Sequence, residues 1–294
     1  QPHLRLRPRA PPNHTTTHQS CLIPAIRAKA LRSAPVLPAC ATRVAPGNRT
    51  KTVRTVGQSL PHPGAWGTIL LVINMEAVDR EVRAARAELA DAGNVKGILS
   101  LPTRKRIWRA MLDPADDEVS YQHRIRLKMA CVRHVLPVWY RGFSGDQRVE
   151  EMIALTQDLM DRRTMDTDQA RMTAGTLLAD VIDEAASDDV ELEMDASTTK
   201  PNSIKNVASL VADAASLTVF SACHRDPDMD LWEEYDDMVD DDELLPDTLE
   251  SSYSCASAAA GALNWQPLEL TDVPARRAFW TWYLDEAIPT TLAT

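Results

Sequence analysis

Cysteine and histidine are the residues best suited to metal or nucleophilic chemistry, and two short groups bring them together here. Cys131-Val-Arg-His134 and the adjacent pair Cys223-His224 would jointly offer a Cys2His2 ligand set. Zinc sites draw ligand pairs from both halves at characteristic spacings, and adjacent residues rarely share one ion. Cys131 also sits beside an apolar stripe, where a free cysteine behaves as a small hydrophobe. The expectation is therefore no metal and no cofactor. Catalytic signatures are equally sparse. The chain has no G-x-x-x-x-G-K-[ST] phosphate loop, no G-x-S-x-G elbow and no H-E-x-x-H pair. Gly142-Phe-Ser-Gly145 brings its second glycine one place early and reads as a loop after Pro137. His123, His134 and His224 are the histidines beyond residue 74, and their spacing assembles no site. The sequence predicts a protein that is not an enzyme.

Acidic residues supply the strongest local signal. Between Asp226 and Asp247 the sequence holds 12 acids in 22 residues and no base. Asp226, Asp228 and Asp230 imitate the start of a calcium-binding loop. Leu231 then stands where that loop needs glycine, and Asp237 where it needs glutamate. A solvated acidic loop is the simplest reading. The functional reading is an interaction surface, because Trp232, Tyr235 and Met238 recur every third residue among the acids. Aromatic anchors within a charged rim are common at protein interfaces. On that reading the contact residues are Trp232, Tyr235, Asp236, Asp237, Asp240, Asp241, Asp242 and Glu243. Their field would repel nucleic acid and steer a basic partner.

The net charge of −10 over 294 residues averages two different compositions. Residues 1–74 contain ten Lys or Arg, ten prolines and no acid, whereas every methionine and all 42 acids follow from Met75 onward. The first part shows no lasting period and cannot bury enough surface to offset its ordering entropy. It reads as a disordered basic extension rich in Pro, Arg and Thr. Its origin has three competing readings: a transit peptide, a basic nucleic-acid arm, or an upstream extension of a protein that begins at Met75. Three cysteines after residue 74 form no disulfide framework, which suits a cytoplasmic protein. No apolar run reaches the 18 or so residues of a membrane span, so no membrane partner is expected.

Residues 75–294 read as helix almost throughout. Val78, Val82, Ala85 and Leu89 form one stripe, with Gly93 as its stop. A short helix is predicted over 103–112. Ile125, Met129, Val132 and Leu136 mark a third, closed by Pro137. Val149, Met152, Ile153 and Met160 mark a fourth; Ala174 to Ala185 and Ile204 to Ala215 continue the pattern. Leu217 to Ala222 has strand-like composition but extends a helical stripe. Ala256, Ala259, Ala260 and Leu263 give a small-residue face. A last helix from about Pro274 to Ile288 should present Phe279, Trp282, Tyr283 and Glu286 on one face. Arg276 near its start should pair with a carboxylate of another helix. The fold class is all-α: a single domain of roughly seven to nine helices.

Two of these stretches carry a family resemblance. His134-Val-Leu-Pro137-Val-Trp139, followed by Arg277-Ala-Phe-Trp280-Thr-Trp282-Tyr-Leu-Asp-Glu286-Ala-Ile-Pro289, resembles a predicted all-helical immunity-protein family of bacterial polymorphic toxin systems. The resemblance spans about Tyr121 to Pro289, including the alanine-rich helix before the last one, and transfers no functional residues. It implies a cytoplasmic protein that blocks a cognate toxin stoichiometrically, and the acidic tract implies a toxin with a basic surface. The alternatives are a helical enzyme or metal-dependent hydrolase, which elemental analysis would reveal, and a structural helical scaffold.

Overall fold

The computed structural model describes residues 73–164, 166–190, 202–231 and 250–293, with side chains described except at 188–190. Helices open where the sequence offers caps. Asn74 accepts the Ala77 amide at 3.0 Å and starts α1 (Met75–Ala90), whose four predicted stripe residues are all buried. Helix α2 (Leu101–Ala110) carries Pro102 in its first turn and begins two residues ahead of the predicted start. Asp116 caps α3 (Asp117–Gly142) by accepting the Glu118 and Val119 amides at 2.9 and 3.1 Å.

Pro137 does not close α3, which continues to Gly142. An interior proline costs about 3 kcal/mol. Beyond it, Trp139 and Phe143 are buried, with ring centroids 4.4 Å apart. Burying two such rings, at roughly 25 cal/mol per Å² and 150–250 Å² each, outweighs that cost. The predicted loop therefore begins only at Phe143.

Helices α4 (Arg148–Met160), α5 (Thr167–Val190) and α6 (Ile204–Ala222) follow. Helix α6 is the hub, packed against α3, α4, α5 and α7 (Ser251–Ala260). Its burial continues around the cylinder from Asn206 to Ala222, not along one stripe, and Ile204 is exposed. The sequence permits this because alanine and serine dominate the helix. Buried hydroxyls here bond locally at Ser209, to the Asn206 carbonyl, and at Thr218, to the Ala214 carbonyl, both at 2.8 Å. The strand-like 217–222 stretch is the last turn and a half of this helix. At its α3 crossing Gly142 has no room for a Cβ, which would lie 2.5 Å from the Ala208 Cβ.

The last helix, α8 (Val273–Trp282), passes through a π-helical turn (Tyr283–Ala287) into a final α-turn (Ile288–Leu292). Its buried face is Arg276, Phe279, Trp280, Tyr283, Leu284, Ala287 and Ile288. Trp282 is half-buried and Glu286 exposed, so the predicted face is rotated. Rows spaced by four residues drift around an ideal helix of 3.6 per turn, and the wider π-turn restores them to the core. Eight helices and no strand are present among the described residues.

Candidate functional site

Helix α3 faces Trp108 of α2 across a pocket. At spacings of three and four residues, Ser120, His123, Arg124, Leu127, Lys128 and Cys131 line one wall of this narrow pocket. Trp108, Met111, Leu231 and Tyr283 close it. The pocket measures about 40 Å³, enough for a few waters at about 10–15 Å³ each and far below a metabolite site. The Trp108 indole donates to the Tyr283 hydroxyl at 2.8 Å, fixing the far wall.

Two carboxylates grip this wall, Asp230 and Glu250. Asp230 accepts from the Lys128 ammonium at 2.9 and 3.0 Å. Glu250 pairs with the fully buried Arg104 at 3.1 Å and caps α7 through the Ser252 and Tyr253 amides. Arg104 also donates to the Leu99 carbonyl and faces the Trp280 ring at 5.4 Å. Arg124 donates to the Ser221 and His224 carbonyls at the end of α6, where a helix favours a cation.

Cys131 is completely buried, and burial first, then the Glu250 charge, raises its thiol well above the usual range. A protonated thiol is a poor nucleophile and a poor ligand. His134 is not beside it: the imidazole is exposed and stacks on Trp282 instead. Cys223 approaches the Thr167 carbonyl at 3.5 Å, and burial pushes its thiol up to about 11. His224 lies 3.5 Å from Arg171, and burial followed by that cation holds its imidazole below the usual value. Among the described residues no group of three or more His, Cys, Asp or Glu could hold a metal ion.

A broad cleft adjoins the pocket. Leu112, Ser120 and Pro227 belong to both, while Asp113, Asp117, Asp226 and Asp228 surround the cleft, with Arg109 at its edge. The cleft spans about 630 Å³. Partial loss of water first, then the hydrogen-bonded Asp228 and the charge of Asp117, push the exposed Asp226 carboxyl up. Like charges crowd here.

The family model for immunity protein Imm5 matches residues 84–290. The chain belongs to the Imm5 immunity protein family. The Imm5 match starts inside α1 and ends in the final turn, so it takes in the helices that build the pocket and cleft. A comparison with curated proteins returns no match. The Imm5 assignment agrees with the resemblance read from the His134–Trp139 and Arg277–Pro289 stretches.

The contact residues expected from sequence, Trp232, Tyr235, Asp236, Asp237, Asp240, Asp241, Asp242 and Glu243, lie outside the described residues. Asp226, Asp228 and Asp230 are described, and they divide: the first two face the cleft, the third pairs with Lys128. Arg276 donates to the Lys96 and Ala262 carbonyls at 3.3 and 2.7 Å. Arg104, a buried cation that sequence reasoning missed, pairs with the Glu250 carboxylate at the start of α7. Its signal was a cation inside the apolar pattern of α2. Among the described residues no helix is long and apolar enough to cross a membrane.

Proposed function

We propose that this protein binds a cognate bacterial toxin in the cytoplasm and silences it by stoichiometric occlusion, without chemistry of its own. The observation that carries this reading is the acidic cleft of Asp113, Asp117, Asp226 and Asp228, in a chain of an immunity-protein family. The cleft continues the sign of the 226–247 tract, so the partner is a protein with a basic surface, not a nucleic acid or a membrane. Complementary charge of this kind speeds encounter and sets orientation. Where the toxin is a nuclease, the carboxylates of Asp236–Glu243 would stand in for substrate phosphates.

The test is direct. The purified protein is mixed with the toxin encoded by the adjacent gene, and toxicity is followed against molar ratio. Toxicity should vanish near equimolar ratio; absence of any complex would refute the reading.

A further inference from the structure

Three features of the pocket and cleft have no explanation in the fold itself. The first is adjacency: an apolar pocket and an acidic cleft share Leu112, Ser120 and Pro227 as a common wall. Apolar walls beside a charged rim are the ingredients of an interface hot spot. The second is His123. It lines the pocket at 5% exposure, yet its Nδ1 has no hydrogen-bond partner among the described residues. A buried ring nitrogen left unpaired costs about 1–3 kcal/mol, which a ligand carrying a polar atom would recover. The third is charge: four carboxylates and Arg109 line the cleft, and Arg124 is the further cation that acts on Asp226 and Asp228.

We propose that this composite concavity is the described part of the toxin-binding surface. Its occupant is a mostly apolar toxin side chain carrying a hydroxyl, whose body enters the pocket and whose hydroxyl bonds His123 Nδ1, next to a lysine or arginine that enters the cleft. This inference rests on the toxin-binding reading and adds where and by what chemistry the toxin is held. The basic group relieves the crowding of Asp226 with Asp117 and Asp228. The apolar group is excluded from water by Leu112, Leu231 and Trp108. Both groups come from one short segment, because the two cavities share a wall.

The experiment uses the full chain and the toxin from the adjacent gene, with affinity measured by calorimetry at moderate salt. Two double variants remove equal charge: Asp117→Asn with Asp226→Asn in the cleft, and Glu151→Gln with Asp180→Asn on exposed faces of α4 and α5. The two variants match in net charge, and at moderate salt the fields of exposed charges decay over roughly 10 Å, so a difference between them reports charges close to the bound toxin. The cleft pair should weaken the complex at least tenfold, and the remote pair less than threefold. Leu112→Lys at the shared wall should do the same as the cleft pair. In wild-type complex, the His123 ring resonances should shift on toxin addition. No complex with wild-type protein would overturn the toxin-binding reading, and this inference with it. A normal wild-type complex that both double variants weaken equally, or that neither weakens, would overturn the inference alone. So would His123 resonances that stay unmoved in a complex.

Discussion

His134 lies flat on Trp282, with ring centroids 3.7 Å apart and planes inclined by 14°. Phe279 meets the same imidazole edge-on at 5.8 Å. The stack joins the middle of α3 to the last helix. Trp282→Ala should cost about 1–2 kcal/mol, more than its partial burial alone, since aromatic pairs contribute about 0.5–1.5 kcal/mol beyond area. His134→Phe should retain most of that stability. Urea unfolding of the two variants checks both, and an unchanged midpoint for Trp282→Ala would show the stack to be ornamental.

The Arg104–Glu250 pair predicts an asymmetric result. Glu250→Ala strips a buried guanidinium of its carboxylate and uncaps α7, so it should cost about 3–5 kcal/mol. Combining it with Arg104→Met should recover part of the loss, because the uncompensated charge goes too. A double-mutant cycle by denaturant unfolding measures the coupling, and strictly additive losses would rule out the pair as a unit.

Gly142→Ala tests the closest helix crossing. The new methyl would meet the Ala208 Cβ at 2.5 Å and the Ile204 carbonyl at 3.0 Å, forcing α3 away from α6. Overpacking of this kind costs about 1–3 kcal/mol, against a helix-propensity gain of up to about 1. The net effect is destabilising. Gly175, whose Cβ would meet nothing within 4 Å, supplies the control: alanine there should stabilise α5.

Stability should fall on mild acidification. Loss of water holds three imidazoles below the ordinary value of 6.5: burial at His123 and His224, and the partial cover of the Trp282 stack at the otherwise exposed His134. The unfolded chain therefore takes up protons first as pH drops through about 6.5, and stability declines until the folded imidazoles also titrate. For Glu118, burial alone would raise the carboxyl, but hydrogen bonds from Gln122 and Arg162 and the Arg225 charge outweigh it and hold it down. Its contribution is present above the ordinary 4.5 and disappears at lower pH, giving a second step. Urea midpoints between about pH 7.5 and 3.5 should trace both, and a flat profile from 7.5 to 5.5 would contradict the histidine assignment.

How much could be read without coordinates depended on which force placed each residue. The α1 stripe was legible because one face of that helix meets the core and the other meets water. Helix α6 was legible as a helix but not as the hub, since periodicity reports one buried face and α6 is buried on all sides. Pro137 misled for a different reason: local propensity opposed helix, and the distant burial of Trp139 and Phe143 overrode it. The last helix was assigned the wrong face because no local signal announces a π-turn. At the candidate site, charge sign was visible in sequence. The concavity was not, because α2, α3 and the 226–231 segment meet only through tertiary packing.

The two grips at Asp230–Lys128 and Glu250–Arg104 have an evolutionary consequence. Both fasten the chain to α2 and α3, outside the stretch 232–249 that runs between them. Neither ion pair uses a residue of that stretch, so substitutions there leave both pairs intact. The contacts that hold the described scaffold and the acidic sequence between them can therefore change independently.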